Sequence, residues 1–129
     1  LTLARAERMS TAMVYLLVAC GGGIGALLRF CLVQTVAFPY GTLSVNVIGS
    51  FLMGLAFVYF AGRLGEVAPL FLMAGILGGF TTFSAFSLDL LKLLDMGRFG
   101  FAFAYICGSV LGGLAAVFLG FIAMRLVSA

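Results

Sequence analysis

The chain has 129 residues, of which 64% are hydrophobic and 9% charged, with a formal net charge of +3 and a mean hydropathy of +1.30. Soluble domains carry roughly 25% charge, so this composition excludes a water-soluble fold. Histidine is absent, which excludes histidine-ligated zinc and histidine-based proton transfer, and the cations are spread along the chain rather than clustered, which argues against nucleic acid as a partner.

A hydrocarbon core about 30 Å thick takes roughly 20 apolar residues of helix to cross. Four charge-free runs are long enough, lying between Arg8 and Arg29, Arg29 and Arg63, Glu66 and Asp89, and Arg98 and Arg125. Residues 1–8 read as a polar leader, with Met9 a candidate start. The first span is placed at 11–31; its apolar stretch is too long for a secretory signal, and glycine-rich segments like it recur downstream. Gln34, Pro39, Tyr40 and Gly41 mark a loop over 32–41, followed by a second span at 42–62. A loop at 63–68 leads to a third span at 69–95, and a tight turn at 96–98 leads to a fourth at 99–126. The expected architecture is one all-α, four-helix transmembrane domain, multi-pass in the plasma (inner) membrane.

Small residues four apart occur in every span: Gly21/Gly25 and Gly22/Ala26, Ser50/Gly54, Gly75/Gly79, and Gly108/Gly112/Ala116/Gly120. In lipid such pairs let helix backbones approach closely. Cys20, Cys31 and Cys107 are odd in number and sit within apolar helices or at their ends, where a thiol packs as a small apolar group.

Lysine and arginine barely set an orientation. Arg5, Arg8, Arg63 and Arg125 fall on one side, Arg29, Lys92 and Arg98 on the other; counted from Met9 the balance is two against three. A bias of one charge fits a chain that inserts both ways up and pairs antiparallel with itself, and it also arises by chance in short chains.

Polar residues inside spans are costly and face the bundle or a wet path. Asn46 has Thr42 one turn before it and Ser50 one turn after it on the same face, and its amide suits either interhelical bonding or a ligand. The run Gly78-Gly79-Phe80-Thr81-Thr82-Phe83-Ser84-Ala85-Phe86-Ser87 fits two readings. One is a helix that unwinds and restarts near its middle; the other is a continuous helix whose hydroxyls bond back to carbonyls. Phe83 and Phe86 share a face, and phenyl rings have positive edges. Tyr105 and Ser109, with Gly113 next, form a polar stripe on the fourth span. These groups are neutral donors and ring edges, with no carboxylate in the middle of a span, which favours a small anion over a cation. Asp89, with Lys92 three residues on, reads as half of a surface ion pair rather than part of a site.

Three stretches taken together carry a resemblance: Gly22-Gly23-Ile24-Gly25-Ala26-Leu27-Leu28-Arg29, then Gly41-Thr42-Leu43-Ser44-Val45-Asn46 with Gly49, then Gly78-Gly79-Phe80-Thr81-Thr82-Phe83-Ser84-Ala85-Phe86. In order, within a four-span chain, they resemble the Fluc family of small fluoride channels from about Gly21 to Arg125. The resemblance implies an antiparallel, dual-topology homodimer with two fluoride pores and a structural sodium ion at its centre. It implies that Asn46 hydrogen-bonds fluoride, that Phe83 and Phe86 present ring edges to it, and that Ser109 lines the same pore. Thr42, Tyr105, Thr82 and Ser84 would complete the polar lining. Main-chain carbonyls of Gly78 and Thr81 would ligate sodium, and Arg29 would be a vestibule or structural cation. Gly113 and Val117 depart from members that carry hydroxyls at those positions, which leaves open how far the polar track runs beyond Ser109.

The expected function is passive, fluoride-selective efflux from the cytoplasm that relieves fluoride toxicity, with no catalysis. Two alternatives stand beside it. A small dual-topology multidrug exporter would need a glutamate in the first span, which this chain lacks. A non-transporting membrane assembly subunit would leave Asn46 and the interrupted third span without a reason.

Overall fold

The computed structural model describes residues 9–63 and 65–129. The expected leader, with Arg5 and Arg8, lies outside the described residues. Helices α1 (Thr11–Thr35) and α2 (Tyr40–Phe60) are followed by a third span that runs over Val67–Asp95 in two pieces, α3 (residues 67–80) and α4 (Phe83–Asp95). Helix α5 (Phe99–Ser128) completes the chain. All four spans are long and apolar enough to cross a membrane, and no strand occurs among the described residues.

Helix α1 ends later, and α2 begins earlier, than the 32–41 loop read from the sequence. No helix breaker precedes Phe38-Pro39, and the Thr35 hydroxyl bonds to the Leu32 carbonyl at 2.9 Å, so the chain stays helical to Thr35. The connection is residues 36–39. At the other tight turn, Gly97 adopts φ +69, a conformation that suits glycine, and reverses the chain between α4 and α5.

Two seams organise the bundle: α1 against α3, and α2 against α5. Both are built on glycine. A Cβ on Gly25 would strike the Ile76 carbonyl and the Phe80 amide, and one on Gly79 would strike the backbone of Gly22. Across the second seam, Gly54 meets the backbone of Val117 and Phe121, and Gly120 that of Phe51 and Leu55. Gly108, first in the fourth span's row of small residues, touches nothing in this way. Within α3, Leu70–Leu77 is π-helical. The wider i→i+5 ladder brings residues four or five apart onto one face, and α1 accordingly meets α3 at Phe71, Gly75, Ile76 and Phe80.

A small core of Phe86, Leu93, Ala102 and Tyr105 locks α4 to α5. The outer surface is apolar: Leu16, Leu27, Phe103 and Phe118 are each more than 60% exposed, a surface suited to lipid rather than water. Cys20 and Cys31 are free and exposed on the same exterior. Cations close both ends over aromatic rings. Arg63 lies 4.0 Å from the Tyr59 centroid and Arg125 4.5 Å from that of Phe121 at one end; Arg98 lies 4.5 Å from the Phe101 centroid at the other.

Because the seams leave no room for a side chain, Gly54→Val should cost about 1–3 kcal/mol or more through overpacking, whereas Gly100→Ala, in open space, should be neutral. Thermal unfolding of detergent-solubilised protein, followed by the loss of the monodisperse peak, checks the contrast.

Candidate functional site: the break in the third span

The third span is interrupted at Thr81 and Thr82, which are extended (ψ 155 and 125) between the end of α3 and the start of α4. Two features of the sequence make the break there. Threonine is β-branched and disfavours helix interiors, and Thr82 is well suited to begin a new helix: its hydroxyl accepts from the Ala85 amide at 3.1 Å as the N-cap of α4. Thr81 instead bonds its hydroxyl back to the Leu77 carbonyl at 3.0 Å, finishing α3.

An extended backbone inside a membrane leaves polar groups that must find partners. Asn46, on α2, supplies both for Thr82. Its amide N–H donates to the Thr82 carbonyl at 2.9 Å, and its oxygen accepts from the Thr82 N–H at 2.8 Å. Three residues along α2, Gly49 admits the methyl of Thr81, which a Cβ there would displace. Asn46 and Gly49 therefore form a receptor for the break. Of the two readings of Asn46, the interhelical one describes its bonds, and one of its two amide protons remains for a ligand.

Three cavities are lined by candidate residues, two of them at the break. The first, about 510 Å³, is lined by Ala26, Arg29, Phe30 and Val33 of α1 with Thr82, Ser84, Ala85 and Leu88. Arg29 thus lines the same cavity as the two hydroxyls at the start of α4, which lie 3.2 Å from one another. Among the described residues no carboxylate lies within ion-pair distance of Arg29, so this cavity carries an uncompensated positive charge beside neutral donors. A second cavity, about 110 Å³, lies between the 36–39 connection and Thr42, Asp89 and Lys92. The third, about 430 Å³, opens along the α2–α5 seam beside Thr81.

The sequence reads Asp89 as half of a surface pair, and the structure corrects that reading in part. Lys92 does reach it, at 3.8 Å, but Asp89 is only 7% exposed. Its Oδ2 accepts from the Thr42 hydroxyl at 2.5 Å and from the Tyr105 hydroxyl at 3.4 Å, tying α2, α4 and α5 together. Each hydroxyl has a single proton. In this arrangement Thr42 and Tyr105 therefore present lone pairs, not donors, to anything else. A signal for Asp89 is present in the sequence: it lies three residues after Phe86, and these two with Leu93 are the buried residues of α4.

The aromatic pair is unequal. Phe86 is buried (8% exposed) and stacks against Tyr105 at 5.3 Å, whereas Phe83 is 78% exposed, 5.5 Å from Phe86. Ser109, one turn after Tyr105, holds a hydroxyl oxygen that is buried and has no hydrogen-bond partner among the described residues. Gly78 and Thr81 flank the end of α3, and no backbone hydrogen bond crosses the break to either carbonyl. Arg29, Thr82 and Ser84 thus share one cavity, Thr42, Asp89 and Tyr105 a second cluster, and Asn46 stands at the break between them.

A four-span membrane protein, with its third helix broken against an α2 asparagine and a face of unpaired donors, is the class that the fold and site define. The model of the family described as CrcB-like protein, Camphor Resistance (CrcB), matches residues 16–121. Similar curated proteins include "Fluoride-specific ion channel FluC" of Rhodopseudomonas palustris (strain BisB5), 47% identical over 125 residues, covering 90% of this chain and 100% of that protein. A protein of the same name from Novosphingobium aromaticivorans is 48% identical over 117 residues, 84% of this chain and 93% of that one. Another, from Thermus thermophilus, is 48% identical over 114 residues, 83% of this chain and 91% of that one. The chain belongs to the CrcB-like family, and the resemblance drawn from its three motifs is borne out.

Removing the Asn46 amide leaves both Thr82 backbone groups without partners. Asn46→Ala should speed hydrogen exchange at the Thr82 amide at least tenfold, because each lost bond of this kind costs about 1–3 kcal/mol. Exchange read by mass spectrometry across the α3–α4 peptide checks this; unchanged protection there would show that another group holds the break.

Proposed function

We propose that the chain is a fluoride-selective channel of the plasma membrane, passing the anion out of the cytoplasm down its electrochemical gradient, and that it is not an enzyme. The observation that carries this reading is the agreement between the names of its relatives, at 46–48% identity over most of the chain, and the chemistry at the break. Fluoride is small and strongly hydrated, so a pore must replace water with several close donors. The Ser109 hydroxyl, the remaining Asn46 proton, the Thr82–Ser84 hydroxyls and the phenyl edges of Phe83 and Phe86 are such groups. All are neutral, so the anion meets dipoles and ring edges inside the span. The positive charge of Arg29 attracts it at the cavity on α1.

The working unit in this proposal is an antiparallel homodimer with a structural sodium ion at its centre. Three features support it: the near absence of charge bias between the two ends, the exposure of Phe83 beside the break, and the unbonded carbonyls of Gly78 and Thr81. Of the carbonyls at the end of α3, those of Gly78 and Thr81 are the pair that the resemblance would bring to the ion, and a twofold copy would supply the same pair again. Carbonyl oxygens suit a hard cation, which would neutralise dipoles that otherwise converge without partners.

Purified protein in liposomes should release fluoride rapidly and chloride negligibly. Phe83→Ile, which keeps bulk and removes the ring edge, should slow fluoride at least tenfold, as should Asn46→Ala. An ion-selective electrode records both anions. A correctly assembled wild-type dimer that passes no fluoride would overturn the channel reading; fluoride release unaffected by both substitutions would overturn the residue roles alone.

A further inference from the structure

Hydroxyls within membrane helices ordinarily bond back to a carbonyl one turn earlier. Ser44, Ser87 and Thr81 do so here, at 2.7, 3.0 and 3.0 Å. Ser50 does not: among the described residues its hydroxyl makes no hydrogen bond. It lines the cavity of about 430 Å³ on the α2–α5 seam, together with Gly49, Met53, Thr81, Gly113 and Val117.

The position of Ser50 relative to α5 is specific. Helices α2 and α5 run in the same direction, since one returning span separates them, and their residues pair in steps. Thr42 and Tyr105 meet on Asp89. Eight residues on in each helix, the Ser50 hydroxyl lies 3.6 Å from where a Cβ on Gly113 would stand. Between these steps lies the Ser109 hydroxyl, its oxygen buried and without a hydrogen-bond partner among the described residues. Gly113 itself carries no hydroxyl, and the next turn brings Val117. Read along α5 alone, the donors stop at Ser109. Across the seam they continue, one helical turn further and about 6 Å along the axis, on the opposite helix.

We infer that Ser50 is a further anion-coordinating residue, extending the path from Ser109 past Gly113 into the α2–α5 cavity, toward the end that carries Arg63 and Arg125. This rests on the channel reading above and adds to it the course of the ion beyond Ser109. The hydroxyl that α5 lacks at Gly113 is supplied by α2, close enough to occupy the same place in the lining.

The inference makes the hydroxyl transferable between the helices. Fluoride efflux from liposomes is measured for wild type, Ser50→Ala, Ser50→Ala/Gly113→Ser and Ser50→Ala/Gly113→Ala, each first shown to elute as wild type. Ser50→Ala should slow efflux about tenfold, the worth of one hydrogen bond to an ion. Adding Gly113→Ser should restore it to within about threefold of wild type, and adding Gly113→Ala, which fills similar space without a donor, should not. The Gly113 Cβ meets only Ser50 at ordinary contact distance, so these changes fit the seam. Wild-type efflux in Ser50→Ala would overturn the inference and leave the channel reading standing. Equal behaviour of the two double variants would overturn it in favour of a packing role. If wild type itself released no fluoride, the channel reading would fail first.

Discussion

The paired hydrogen bonds between the Asn46 amide and the backbone of Thr82 are the interaction on which the rest of this structure depends. Each unsatisfied backbone group in hydrocarbon costs several kcal/mol, so a span can be opened at Thr81–Thr82 only if something takes the place of the helical ladder. Asn46 does this with one donor and one acceptor held in a fixed plane. Everything placed around the break follows. Thr82 is free to cap α4, the cap fixes where Phe83 and Phe86 leave the new helix, and Ser84 is brought beside Thr82 and into the cavity of Arg29.

This arrangement also divides the donors between structure and ligand. Asn46 uses its oxygen and one proton on Thr82, and Thr42 and Tyr105 direct their protons at Asp89. Outside these bonds stand the second Asn46 proton and the hydroxyls of Ser109, Ser50 and the Thr82–Ser84 pair, the groups that the proposed channel would turn to an anion. A buried carboxylate beside an anion route looks contradictory until its partners are counted. Two hydroxyls and Lys92 surround Asp89, so its charge is met locally and its role within the fold is to join three helices. Removing either hydroxyl would leave more of that charge uncompensated.

Much of this is legible in the sequence, for physical reasons that can be named. Charge-free runs mark the four spans, because the bilayer admits so few alternatives. The glycine pairs Gly21/Gly25 and Gly75/Gly79 do line a seam, but Gly108 does not, since spacing shows which face is small and not which face is met. The break fits two readings in the sequence because threonine hydroxyls can either cap a new helix or bond backward. Thr82 does the first and Thr81 the second, and the pairing that decides between them comes from Asn46, 36 residues away. Asp89 is misread through a local cue: Lys92 three residues on suggests a solvent pair, whereas the burial of Asp89 is set by Thr42 and Tyr105 on other helices. Local sequence carries caps and periods; it does not carry which residue of another helix arrives to complete them.

A single chain does not satisfy the whole of the break. Within one chain the Thr82 carbonyl and amide are satisfied, but the carbonyls of Gly78 and Thr81 receive no backbone hydrogen bond across the break, and Phe83 stands 78% exposed. Exposure of a phenyl ring to lipid costs little; exposure of unpaired carbonyls to lipid costs a great deal. Asn46 satisfies both Thr82 backbone groups but none of the carbonyls of residues 78–81, which are left as the end of α3 leaves them, without a backbone partner across the break. A cation shared with a second, inverted copy is the proposed answer. It would also account for a chain whose described ends carry two and three cations, Arg63 and Arg125 against Arg29, Lys92 and Arg98. A protein that must insert both ways up cannot hold a strong preference for either.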